Sequence, residues 1–297
     1  MGDINPTQAL AKLAAQIPAT CRENIVIVGS LAAAYQLLGT QKLSVRTKDI
    51  DCVVAPRITA SVKGAEVAEA LLSAGWKPRG EGQHGQPGNA QTPDTSLPLV
   101  RLYPPDGSEW WVEFLTVPEV EGKQQNEWAR IELSAGHFGL RAFEFMSLSA
   151  FKPVDTPLGV LCARPEMMAL ANMLEHPHIK PDVMSSPIGG LTIKRSNKDL
   201  GRVLAIAFLS SDSIDTWSGS WEDGLKTNFP GRWQGLAKRA GTGLRELLAS
   251  DRDMDQAWHT CNSGLLVNLV VPMRQLRDVG YRVVRNAIEP LEKLASQ

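Results

Sequence analysis

Asp49 and Asp51 stand two residues apart in the run "VRTKDIDCVV". The neighbouring residues are apolar and β-branched, the composition of a strand. Side chains alternate across a strand, so the two carboxylates point to one face and Ile50 to the other. An unpaired carboxylate on a half-buried surface is costly. Two side by side repel each other unless a cation lies between them. Hard divalent ions such as Mg²⁺ or Mn²⁺ take carboxylate and phosphate oxygens together. Glu113 in "WWVEFL" is a third acid flanked by apolar residues. Three acids on neighbouring strands can hold two metal ions, an arrangement that clamps an in-line phosphoryl displacement. Asp49, Asp51 and Glu113 are the candidate metal ligands and catalytic acids. Glu109, Glu119 and Glu121 lie nearby but at turn or strand ends, where solvation is expected.

The same stretch of chain offers an anion site. "NIVIVGS" is a short continuous apolar run ending in Gly29-Ser30. Glycine lets a phosphate approach the backbone, and the first N–H groups of the helix that follows point at it. The Ser30 hydroxyl can add a hydrogen bond. Arg46, just before the aspartates, can contact a phosphate through its planar fork.

These residues need a scaffold. The pattern predicts a helix in "TQALAKLAAQI" capped by Thr7, a buried strand in "NIVIVG", and a helix in "SLAAAYQLLG" capped by Ser30. The strand "DIDCVVA" follows, then a helix over about 59–74. "RGEGQHGQPGNAQTPDTS" has almost no apolar residues and reads as a mobile surface loop. It leads to the hairpin "LPLVRLYPPDGSEWWVEFLTV", turned at "PPDGS", and a further strand in "LRAFEFMSL". From "PEMMALANMLEH" onward the segments read as helices, including "SNKDLGRVLAIAFLSS", "GLRELLAS" and the long "GLLVNLVVPMRQLRDVGYRVVRNAIEPLEKLA", broken or kinked at Pro272. The fold class is therefore α/β (α+β) with a mixed sheet, followed by an all-α C-terminal domain. The expected boundaries are 1–163 and 164–297. Trp217 and Trp221, four apart, read as packing for the helical half.

Composition narrows the function. The chain has 297 residues, and 43% hydrophobic with 21% charged residues fits a soluble globular protein. A formal net charge of −1 argues against a nucleic-acid coat or a basic membrane binder. No apolar run reaches the length of a membrane span, no secretory signal pattern opens the chain, and Gly2 lacks the basic patch that would back a myristoyl chain. Four scattered cysteines give neither a zinc site nor a disulfide framework, and buried thiols in a reducing cytoplasm fit better. His176 and His178 in "EHPHIK" lack further ligands and read as rings in solvent at a helix end.

The ordered set, strand–Gly-Ser–helix, then Arg-Thr-x-Asp-Ile-Asp, then a lone acid in a later strand, resembles the nucleotidyltransferase superfamily with its DNA polymerase β-like fold. "VGSLAAAYQLLG" with "VRTKDIDCVV" is most similar to the abortive-infection, AbiEii-type toxin nucleotidyltransferases. The motif-bearing resemblance covers about residues 24–115. It implies Mg²⁺ (or Mn²⁺) held by Asp49, Asp51 and Glu113. It also implies an NTP, ATP or GTP, whose β- and γ-phosphates lie on Gly29-Ser30. The family's Lys-Asp pair at the start of a second-domain helix is matched in "KRSNKDLGRV", so Lys198 and Asp199 are implied at the nucleotide, with Lys194 and Arg195 adding positive charge. Ser196 with Asp199 also reads as a capping-box-like start that would leave the lysines merely solvated. The "GTQKLS" insertion makes the stretch from Ser30 to Asp49 longer than the family's. A lysine expected after the sheet is absent, and Asn172 stands near that place. The implied activity is nucleotidyl transfer to a tRNA or protein acceptor, in a toxin–antitoxin or phage-defence setting with a cognate antitoxin. The alternatives are a small-molecule, antibiotic-type nucleotidyltransferase and a nucleotide-binding protein that does not turn over.

Overall fold

The computed structural model describes residues 3–39, 43–80, 86–119, 126–179, 182–188 and 190–297. Gly2, Glu121 and positions 81–85 of the Gly/Pro-rich segment lie outside the described residues. A mixed α/β sheet region occupies the N-terminal part, and the C-terminal part is mostly helical. The chain divides into two compact units, Met1–Ala32 with Thr47–Ala163, and Ala33–Arg46 with Arg164–Gln297. No helix among the described residues is long and apolar enough to cross a membrane.

The first helix of the first unit is α1 (Pro6–Ala14), capped by Asn5, whose side-chain oxygen accepts from the Gln8 N–H at 3.0 Å. Asn5 thus takes the role expected of Thr7, because Pro6 fits the first helical position and moves the start forward. Strand β1 (Ile25–Val28) is buried along its whole length and runs into α2 (Gly29–Leu37) without a loop. Next come β2 (Asp49–Val54), α3 (Arg57–Ser73), β3 (Lys77–Pro78), β4 (Arg101–Tyr103) and β5 (Trp111–Thr116). The unit continues with β6 (Asn126–Leu133), β7 (Gly136–Phe143), α4 (Met146–Ser149), β8 (Val154–Asp155) and β9 (Leu161–Cys162). The sheet order is β8-β9-β1-β2-β5-β4-β3, and β7 pairs with β5 and β6. Strand β2 is antiparallel to β1 and parallel to β5, the mixed sheet that the sequence predicts.

Alternation gives β2 two distinct faces. Ile50, Cys52 and Val54 are fully buried, and α3 packs on their side, with Gly64 beside Val54 and Leu140. Asp49 and Asp51 take the opposite face and are only half-buried. All four cysteines are buried free thiols, and burial pushes Cys162 up to about 12.

The β6–β7 hairpin reaches further than expected, since only the later half of β7 reads clearly as a strand. Residues 86–96, expected to be mobile, are tied to it. Gly88 exchanges backbone hydrogen bonds with His137, and the Arg130 guanidinium bonds the Asp94 carboxylate at 2.8 Å and the Asn89 carbonyl at 3.2 Å. Polar composition alone does not free a segment whose backbone groups find fixed partners.

The second unit contains α5 (Pro165–Ile179), α6 (Arg195–Leu209), α7 (Trp217–Asn228), α8 (Trp233–Ala240), α9 (Thr242–Ala249), α10 (Asp251–Ser263), α11 (Met273–Val283) and α12 (Glu289–Leu294). A π-helical turn, Val284–Ile288, joins the last two. Helix α6 is the centre, with Leu200, Val203, Leu204 and Ala207 all fully buried against its neighbours. A Cβ on Gly201 would stand 2.8 Å from the Ala257 carbonyl oxygen, so glycine sets how closely α6 meets α10. Trp217 and Trp221 are core residues, 2% and 0% exposed, and the Trp221 indole donates to the Glu166 carbonyl at 2.8 Å.

Two expectations for this unit change. Residues 264–272 are not helical. The Asn262 amide accepts from the Val271 N–H at 2.7 Å and donates to the Val271 carbonyl at 3.0 Å, which pins a turn ahead of Pro272. His176 is buried rather than in solvent, because α5 continues past it and Gly243 stands against its ring.

Candidate metal and catalytic site

Strand register builds the site in the first unit. Asp51 is paired with Val28 on one side and with Glu113 on the other, and Asp49 is paired with Trp111. The two aspartates and Glu113 therefore share one face of two adjacent parallel strands. One oxygen from each of the three carboxylates lies within 4.8 Å of the others. The sequence reading of Asp49, Asp51 and Glu113 as one cluster agrees with this arrangement. Glu109 and Glu119 are exposed.

The chain turns from β1 into α2 directly behind Asp51. Gly29 has φ +79°, and a Cβ there would sit 2.7 Å from Asp51 Oδ2. Both the backbone conformation and the approach of the carboxylate demand glycine. The helix begins at Gly29 itself, so Ser30 is half-buried inside the first turn rather than standing before it as a cap. Gly29→Ala is expected to lower stability by about 1–2 kcal/mol from the left-handed backbone alone. It should also push Asp51 off its place and depress any metal affinity. Denaturant midpoints and metal titration of the variant check both effects.

Two further residues complete the cluster, Arg101, which no motif marked, and Thr47, which stands in the Arg-Thr-x-Asp-Ile-Asp run without an assigned role. Arg101 is paired with Glu113 across β4 and β5, and its Nε lies 2.5 Å from Glu113 Oε2. Thr47 Oγ1 donates to Asp49 Oδ1 at 3.0 Å and holds that carboxylate's orientation. Glu113 is 8% exposed. Burial pushes its carboxyl above the ordinary value. Arg101 pulls it back, and the negative Asp49 beside it pushes it up again. A buried carboxyl next to two further acids and one arginine is the environment that perturbs a proton-transfer group.

The donor set fits a hard divalent cation. It supplies only carboxylate oxygens, they converge, and the apolar far side of β2 leaves them no other direction. Nothing in the donor set selects one ion over another.

The other expected nucleotide contacts belong to the second unit. Arg46 is exposed, and its N–H donates to the Gly264 carbonyl at 3.5 Å. Lys194 occupies the N-cap position of α6, and its ammonium is 2.7 Å from Asp253. Lys198 is 2.9 Å from Asp199. Ser196 and Asp199 lie inside the helix, 1% and 8% exposed, so no capping box starts α6 at Ser196. Burial pushes the Asp199 carboxyl up, but Lys198, Arg202 and Arg195 together bring it below its ordinary value. Asn172 donates to the Met168 carbonyl at 2.8 Å within α5.

No protein-family model and no curated protein sequence matches the chain. Among solved structures, the chain is similar to an antigenic nucleotidyltransferase-like protein from Paracoccidioides brasiliensis, with 14% identity and a TM-score of 0.38. The match covers 86% of this chain and 94% of that one. A likeness of that size leaves the chemistry to be read from the site's own residues.

Proposed function

We propose that the protein is a Mg²⁺- or Mn²⁺-dependent nucleotidyltransferase that moves an NMP group from an NTP to a macromolecular hydroxyl, on tRNA or protein. The convergence of Asp49, Asp51 and Glu113 beside the Gly29 turn carries this reading. When bound, the cation neutralises and orients the phosphate oxygens. Asp49 and Asp51 would hold it. Gly29 and Ser30 at the start of α2 accept the β- and γ-phosphates. The acceptor oxygen attacks the α-phosphorus and forms a new P–O bond. The bond from that phosphorus to the bridging oxygen breaks, and pyrophosphate leaves with its electron pair. Glu113 would either complete the cation's ligand set or take the acceptor's proton.

Arg46, Lys194, Lys198 and Asp199 are proposed nucleotide-binding residues, and a helical domain over 164–297 is part of the proposal. The setting we assign is a cytoplasmic toxin–antitoxin or phage-defence system with a cognate antitoxin. Incubation with each α-labelled NTP and a cell extract tests the reading. Label transferred to RNA or protein supports it, while absence of labelling with every NTP and acceptor pool overturns it.

Lys198→Ala is expected to weaken NTP affinity by about tenfold, the loss of one charge-assisted hydrogen bond. The same change should lower stability by roughly 1–3 kcal/mol, because the buried Asp199 loses its nearest cation. Calorimetry with NTP, together with thermal melting, separates the two effects. Unchanged affinity in a folded variant removes Lys198 from the nucleotide site.

A further inference from the structure

The three acids of the cluster are not held alike. Asp49 accepts the Thr47 hydroxyl at 3.0 Å, and Asp51 lies against the Gly29 turn. Glu113 is placed differently. Strand register sets it in the middle of a row across β2, β5 and β4, with Asp51 on one side and Arg101 on the other. The Arg101 Nε–H donates to Glu113 Oε2 at 2.5 Å. Both side chains are well covered, so solvent ions screen the pair little. One carboxylate therefore stands between two cationic claims. The first is the guanidinium on β4, and the second is a divalent ion at the aspartates on β2.

The charges favour the guanidinium. With all three acids ionised, they and Arg101 together carry a net charge equal and opposite to that of one divalent cation. A cation on Asp49 and Asp51 thus neutralises the cluster. A second divalent ion drawn to Glu113 would meet the positive charge of Arg101 beside it, in a place where burial strengthens the repulsion. An arginine does not give up its proton, so that charge is permanent. Arg101 also takes a lone pair of Oε2 that a metal would use. Arg141, paired with Leu115 one row further along the same face, adds a weaker attraction for Glu113 from β7.

Resting on the metal site of the proposed transferase, we infer that Arg101 is a built-in substitute for a second divalent cation. In the protein free of nucleotide it holds Glu113 away from the metal's ligand set. One ion then binds, on Asp49 and Asp51, and a second is excluded. Arg101 is a positioning residue, since it acts on the metal through Glu113 and its own charge.

The test counts Mn²⁺ ions bound to the full chain at pH 8 without nucleotide, from the loss of the free-ion electron paramagnetic resonance signal. Wild type is expected to bind one ion. Arg101→Gln removes the charge and is expected to bind the first ion about tenfold more tightly and to admit a second. Arg101→Lys keeps the charge and is expected to restore the single ion, a rescue that a purely structural role does not predict. Arg101→Gln can fail to fold, so a double variant carries the same question. Arg101→Met with Glu113→Leu removes a covered pair of no net charge, and is expected to keep one ion within about threefold of wild-type affinity. Two ions in wild type, one ion of unchanged affinity in Arg101→Gln, or a tenfold loss in the double variant overturns the inference about Arg101. In each of those cases binding that depends on Asp51 leaves the proposed transferase standing. No Mn²⁺ binding by wild type, or wild-type binding in Asp51→Asn, removes the metal site and the transferase reading with it.

Discussion

Asp51→Ala is expected to reduce the proposed nucleotidyl transfer at least a thousandfold, the consequence of losing about 4 kcal/mol of transition-state stabilisation. Asp51 lies between Val28 at the Gly29 turn and Glu113, so no neighbouring acid can replace it. Asp49→Ala should behave in the same way, since Asp49 is the third corner of the cluster. Folding should respond oppositely. Without metal the three carboxylates repel, and deleting one relieves that repulsion. Each alanine variant is therefore expected to melt at or above the temperature of the metal-free wild type. Adding Mg²⁺ or Mn²⁺ should raise the wild-type melting temperature and leave the variants nearly unmoved. Melting curves with and without metal read this independently of any acceptor. Near-wild-type transfer in either variant would remove these acids from the chemistry.

The parts of the site that depend on one strand's own pattern were legible in the sequence. Asp49 and Asp51 break an apolar run at a two-residue interval, and Glu113 interrupts another, so each announces itself locally. Arg101 did not, because its meaning comes only from the register that sets it opposite Glu113, twelve residues away across a turn. Thr47 stands in the Arg-Thr-x-Asp-Ile-Asp run, but its part in the site shows only once its hydroxyl is seen on Asp49. The same distinction explains the segment at 86–96. Its composition reads as unstructured, but the residue that fixes it is Arg130, reaching Asp94 from 36 positions away and Asn89 from 41. Helix α6 shows the converse. Its apolar spacing gave the helix, while its start moved to Lys194 because Ser196 and Asp199 are drawn into the buried first turn.

Arg101→Ala is expected to destabilise the metal-free protein by about 3–5 kcal/mol, the cost of leaving a buried carboxylate without its cation. Both partners are well covered, with side chains 14% and 11% exposed, so solvent screens the pair little. The pH dependence gives the mechanism. Burial already holds the Glu113 carboxyl above its ordinary value, and Arg101 is the principal group pulling it down. Without Arg101 the folded-state value climbs further. A carboxyl whose folded value exceeds its unfolded one binds its proton more tightly in the native state. Stability from this group is then fully present below the unfolded value and is lost as pH rises through the raised folded one. The Arg101→Ala deficit should accordingly shrink in acid and open from the ordinary carboxylate range upward. A divalent cation on the same acids supplies the positive charge that Arg101 provided, so Mg²⁺ should restore part of the lost stability above that window and little below it. Chemical unfolding across pH, with and without Mg²⁺, measures this. A deficit independent of both pH and metal would mean that Arg101 contributes packing alone, and that its charge does not govern Glu113.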